Sequence, residues 1–101
     1  MIELEDFPLH DAIVRSIRMD WAEKQLMFNL NAFAIEGKNA FPHILLFSGV
    51  SNVNIPCEEP WGPSTQINEA RFVDGLSRIE MQSGDIITIE AARVEFEPSN
   101  S

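Results

Sequence analysis

Tyrosine is absent from this 101-residue chain, cysteine occurs once, histidine twice, and the five glycines are scattered singly. Each shortage removes a class of chemistry. A lone cysteine makes no intrachain disulfide, and Cys57 has Glu58 and Glu59 beside it, the wrong surroundings for a nucleophilic thiolate. A packed or idle thiol in a reducing cytoplasmic compartment is expected. Scattered glycines build no phosphate-cradling loop, and no serine stands in a Gly-x-Ser-x-Gly elbow. Basic residues are also scarce: seven Lys and Arg against sixteen Asp and Glu, a formal net charge of −9. Such a chain is repelled by the phosphates of nucleic acid and by anionic lipid headgroups, so neither is expected as a partner. No apolar run approaches the ~20 residues of a membrane span, and no charged-then-apolar leader is expected at the acidic start.

What is present is globular: 45% hydrophobic and 23% charged residues, enough for one modest core that buries roughly 60–70% of the unfolded surface. A single domain over residues 1–97 is expected, with 98–101 as a short tail. Alternation of period two, broken by turn signals, predicts antiparallel β structure. Ala12 to Trp21 reads as a first strand with Ile13, Ile17, Met19 and Trp21 on one face, Arg15 intruding, and Val14 on the other face. Leu26, Phe28, Leu30 and Ala32 form the apolar face of a second. Pro42 to Ile55 reads as two strands divided at Ser48-Gly49, because a glycine inside a strand pattern marks a bulge or bend. Three prolines and a glycine between Pro56 and Pro63 demand a surface loop carrying Glu58, Glu59 and Trp61.

The C-terminal third carries the sharpest turn signals. Asp74-Gly75 predicts a two-residue type I′ hairpin that sets Ala70 opposite Ile79, Asn68 opposite Met81, Arg71 opposite Arg78 and Glu69 opposite Glu80. The like charges are then offset by Arg71–Glu80 and Glu69–Arg78 diagonals. A three-residue turn at Ser83-Gly84-Asp85 would oppose Ile79 to Ile89 and Met81 to Ile87. A bulge near Ala91-Ala92 would keep Val94 and Phe96 on the core side. Ser64 to Phe72 is open between a strand and a short helix capped by Ser64. The fold class is all-β, with that one helix as an option: an antiparallel meander of about seven strands in a small sandwich or partly open barrel.

Candidate chemistry is thin. His10, Asp11 and His43 are the one group from which a metal-dependent or acid–base hydrolase or lyase could be assembled, but no ligand spacing supports a zinc site. No catalytic, metal or cofactor residues are assigned, and no cofactor is expected. Acidic pairs of the glycosidase kind are numerically inevitable among sixteen carboxylates, and most fall on outward strand faces. The acidic excess is six charges from Glu58 onward and three before it. Glu58, Glu59 and Trp61, with Glu80, Glu90 and Glu95 on strand faces, are the candidate contacts for a basic protein partner. Self-pairing into a homodimer through an open sheet edge is the structural alternative.

Three phrases, Leu9-His10-Asp11-Ala12, Pro60-Trp61-Gly62-Pro63-Ser64 and Met81-Gln82-Ser83-Gly84-Asp85, stand in that order. Together they resemble a family of small bacterial proteins of unknown function, about one domain long, over most of the chain. In size, acidity and β-richness the chain is also similar to the immunity proteins of bacterial toxin systems. That similarity implies a non-enzymatic module that binds and blocks a cognate toxin, often a basic nuclease. Neither resemblance carries over any site residue.

Overall fold

Alternating apolar side chains give a strand one face to bury, and two such faces cover each other as stacked sheets. A computed structural model of the protein describes residues 4–99 in this arrangement; the first three residues of the expected domain and the last two of the expected tail lie outside the described residues. The strands are β1 (Ile13–Asp20), β2 (Gln25–Ala32), β3 (Phe41–Ser48), β4 (Asn52–Asn54), β5 (Ile67–Val73), β6 (Leu76–Met81), β7 (Ile86–Glu90) and β8 (Arg93–Pro98). They form two antiparallel four-stranded sheets, ordered β1-β2-β3-β8 and β4-β7-β6-β5, which do not close into a barrel. The fold is a small all-β sandwich.

The core is the meeting of the two inner faces. Leu26, Phe28, Leu30, Leu45 and Phe47 of the first sheet face Ile67, Ile79, Ile87 and Ile89 of the second, all buried. Phe28 and Phe47 meet edge-on with centroids 5.8 Å apart. Leu4, Leu9 and Ala12, from the segment before β1, complete the core. A 3-10 turn at Leu4–Asp6 is the only helix among the described residues. Among the described residues no helix is long and apolar enough to cross a membrane.

Several expectations need correction. Ser64 to Phe72 is not helical: β5 occupies most of it, because Ile67 and Ala70 are required in the core. In β1 the pairing with β2 slips at Arg15, which is left out of the ladder. That bulge, not Ile13, brings Val14 onto the inner face with Ile17. A second bulge at Asn68 sets Ile67, rather than Asn68, opposite Met81. The Asp74-Gly75 turn forms as expected, with φ of 53° and 81° and Val73 facing Leu76. Arg71 faces Arg78 and Glu69 faces Glu80, but the charge is balanced along the strand, Arg71 Nε lying 3.2 Å from Glu69 Oε1, instead of across the diagonals.

The β6–β7 turn has the expected three residues but lies one position earlier, at Gln82-Ser83-Gly84, so that Ile79 faces Ile87 and Ser77 faces Ile89. The shift preserves every inward side chain and places Gly84, φ 93°, at the third turn position, where the chain must be left-handed. Ala91-Ala92 is not a bulge within one strand. There the chain leaves the second sheet after Glu90 and enters the first at Arg93, where β8 pairs with β3. The parity switch at this point is a change of sheet. Pro98 belongs to β8 and Ser99 N donates to Pro42 O at 2.9 Å, so neither residue is part of a frayed tail.

Candidate functional site

The loop from Pro56 to Pro63 has no partner strand, so its conformation must come from side chains. Asp85, at the start of the chain leading into β7, provides it. Asp85 Oδ1 accepts from the Glu58 N–H at 2.9 Å, and Oδ2 from the Glu59 N–H at 3.0 Å and the Ser83 hydroxyl at 2.8 Å. Trp61 N–H donates to Ser83 O at 2.9 Å. Gly84 allows the loop to lie flat on the turn: a Cβ there would stand 2.8 Å from Trp61 Cδ2 and 2.9 Å from Pro60 Cγ. The loop is therefore riveted to the β6–β7 hairpin at three successive residues.

The Leu9-His10-Asp11-Ala12 phrase reaches the same place. Asp11, held at φ 66°, donates its N–H to Ile67 O, and the Ile67 N–H donates to Ala12 O. Gln82 Nε2 donates to Asp11 Oδ1 at 2.6 Å, and Gln66 Nε2 to Asp11 O at 3.1 Å. The three phrases Leu9–Ala12, Pro60–Ser64 and Met81–Asp85 thus converge at one end of the sandwich. His10 stands at the rim, Nδ1–H donating to Asn68 O at 2.7 Å and Nε2 lying 3.5 Å from Asp11 Oδ2. Beside it a shallow groove of about 530 Å³ runs along β5, lined by Phe7, His10, Asn68, Ala70 and Arg71 among others.

This scaffold displays Trp61 at 67% exposure, two residues after the exposed pair Glu58 and Glu59. Sequence alone leaves Trp61 equally open to folding inward as a lid over the sheet edge; in the structure it stands outward, tethered to Ser83 O with Gly84 beneath its ring. Trp21 is exposed as well, at the β1–β2 turn on the opposite end, with Lys24 Nζ 4.2 Å over its ring. Of the other candidate contacts, Glu80 and Glu90 lie on the outer face of the second sheet, where Asn68 and Ser51 donate to their carboxylates at 3.4 and 2.8 Å. Glu95 lies on the outer face of the first sheet, away from them.

A similar fold is known. The crystal structure of an uncharacterized protein from Neisseria gonorrhoeae matches with a TM-score of 0.56 at 21% identity, covering 89% of this chain and 93% of that one. At that identity the match speaks to the fold alone. No family model and no curated protein matches the chain.

The histidines do not assemble into a shared site. His43 is 1% exposed and stacked on Phe96, ring centroids 4.7 Å apart, with Nδ1–H donating to Phe41 O at 2.8 Å. His10 lies in solvent with Asp11. Among the described residues no three His, Cys, Asp or Glu side chains are placed to hold a metal ion. Cys57 is exposed, with its thiol 4.0 Å from Ile55 O. What sequence reasoning missed is Asp85 as the organiser of the Trp61 loop. The Ser83-Gly84-Asp85 string signals a turn, but nothing local shows that its carboxylate reaches residues 26 and 27 positions away.

The electrostatics of Asp85 have a pH signature. Burial raises its carboxyl pKa, but the N–H groups of Glu58 and Glu59 and the Ser83 hydroxyl outweigh that and hold it below the ordinary value. A depressed folded value means the charged form is favoured by folding. The contribution is complete above the unfolded carboxyl value near ~3.9 and is lost as pH falls through the lower folded one. Acidification through that lowered folded value, below the ordinary carboxylate range, should therefore release the Glu58 and Glu59 amides. Asp85→Asn should release them already at neutral pH, read as faster hydrogen exchange than in the wild type under the same conditions. Equal protection in the two proteins would show that the carboxylate does not hold the loop.

Proposed function

We propose that the protein is a non-enzymatic binding module that engages a basic protein partner through the Trp61 end of the sandwich. The observation that carries this reading is a large, exposed aromatic ring on a loop fixed by the Asp85 carboxylate and flanked by two solvated carboxylates. A fixed anchor costs little ordering entropy on binding, and an acidic rim accelerates encounter with a positive surface. The net charge of −9 extends that attraction. An immunity protein that neutralises a basic toxin fits this description, as does any intracellular acidic inhibitor of a basic protein. The cytoplasm is the compartment in which a lone exposed thiol stays reduced.

Affinity capture from the producing cell, followed by salt elution, tests the proposal. Trp61→Ala should abolish capture of a basic protein or weaken it by about two orders of magnitude, a hot-spot loss of ~2–4 kcal/mol. The double change Glu58→Lys, Glu59→Lys should slow association and flatten its salt dependence. Trp21→Ala, at the far end and equally exposed, with Lys24 Nζ over its ring, serves as the control and should bind as the wild type. Equal binding by the two tryptophan variants, or indifference to ionic strength, contradicts the assignment.

A further inference from the structure

We infer that the outer face of the first sheet is a self-complementary surface for a second copy of this chain, packed face to face about a two-fold axis parallel to the strands. The face is unusual in its middle. Met27, Ile44 and Leu46 point outward from the central strands β2 and β3 and do not belong to the group packed on the core. The pairing lays out two rows across the sheet. One runs Arg18, Met27, Leu46, Glu95; the next runs Asp20, Gln25, Ser48, Arg93. Each row therefore begins and ends on opposite charges, and the sign inverts between rows.

Within one molecule those ends do not meet, because three inter-strand spacings of about 4.8 Å separate them. Among the described residues the ion pairs are His10–Asp11 and Glu69–Arg71, so Arg18, Arg93, Glu95 and Asp20 have no ionic partner in the monomer. The two-fold operation named above maps β1 onto the partner's β8 and β2 onto the partner's β3 while keeping each row at its own height. Arg18 then faces the second copy's Glu95, Asp20 faces its Arg93, and Met27 faces its Leu46, with every contact made twice. Sheets packed this way cross at roughly 30°, an offset that long Arg and Glu side chains span. Three strands of eight residues and one of six present a face of at most about 19 by 27 Å. Side-chain relief adds to that area, which stays below the ~800 Å² per partner of a standard interface and fits a weak, reversible dimer. The two rows are each charge-balanced. The third row of the face, Ser16, Asn29, Ile44 and Glu97, sets Ile44 against the second copy's Asn29 and Ser16 against its Glu97, so one carboxylate per copy stays at the rim without a countercharge.

Sedimentation velocity of the intact chain across micromolar to submillimolar concentrations, with circular dichroism to verify folding, tests the inference. The wild type should sediment as a monomer–dimer equilibrium. Arg18→Glu should weaken dimerisation about tenfold or more, since both symmetry-related pairs become like-charged, and Glu95→Arg should do the same. The combined variant Arg18→Glu, Glu95→Arg should recover the wild-type dimer, because it exchanges the two ends of the same row. Leu46→Lys should leave a monomer. A wild type that stays monomeric throughout overturns the inference, as does a dimer insensitive to Arg18→Glu or one that the charge swap fails to restore. Those last outcomes point to edge pairing.

Discussion

Gly49→Ala should destabilise the protein by about 2–4 kcal/mol, lowering the midpoint of thermal unfolding by roughly 10–25 °C. Two independent penalties meet at this residue. Its φ of 67° is a conformation that a Cβ disfavours by ~1–2 kcal/mol. A Cβ there would also stand 2.8 Å from the Cβ of Ala92, 3.5 Å from its backbone nitrogen and 3.7 Å from its Cα. The obstacle is backbone and a methyl group fixed to it, with no flexible side chain to swing aside. Ala92 in turn is held in place, its N–H donating to Ser48 O at 3.0 Å and Gly49 O at 3.2 Å. The strain therefore falls on the crossing where the chain changes sheets, and relief would require moving β8 away from β3. Differential scanning calorimetry measures the effect, and a loss under 1 kcal/mol would mean that the crossing is free to relax.

Phe47→Ala should cost still more, about 3–5 kcal/mol, a large part of the ~5–15 kcal/mol that a domain of this size has. Phe47 has no exposed surface and sits on the central strand β3, flanked by Leu26 of β2 and Val94 of β8. Its truncation leaves a cavity between two sheets whose separation is set by every other core residue, so collapse around it is limited. Phe28, edge-on at 5.8 Å, lines the same space. The double variant Phe28→Ala, Phe47→Ala should therefore cost less than the two single losses together, by about 0.5–1.5 kcal/mol, the coupling of an aromatic pair. Denaturant unfolding of the four proteins closes the cycle, and strict additivity would deny that the two rings share one packing unit.

Much of the architecture was legible because it is local. The alternation of Leu26, Phe28, Leu30 and Ala32 reports a half-buried strand regardless of its neighbours, and Asp74-Gly75 reports its hairpin. The division at Ser48-Gly49 and the loop from Pro56 to Pro63 were equally plain, since glycine and proline restrict the backbone wherever they occur. What local pattern hides is partnership. Ala91-Ala92 breaks parity equally well as a bulge or as a passage between sheets, and only β3, far back in the sequence, decides it. The bulges at Arg15 and Asn68 are invisible for a similar reason: each exists to reconcile a strand with a partner that has its own register. At the functional end, Glu58, Glu59 and Trp61 could be chosen from composition. Their fixation by Asp85 could not, since it depends on a carboxylate meeting two amides across the loop.

The pairing of β3 with β8 also bears on how the polypeptide is made. Some 45 residues separate the end of β3 at Ser48 from the start of β8 at Arg93. At a synthesis rate of ~5–20 residues per second, β3 emerges several seconds before the strand that will flank it. Throughout that interval the hydrogen-bonding edge of β3 stands open to any other nascent chain. The vulnerable moment in the life of this protein falls on the ribosome, before the closing strand arrives.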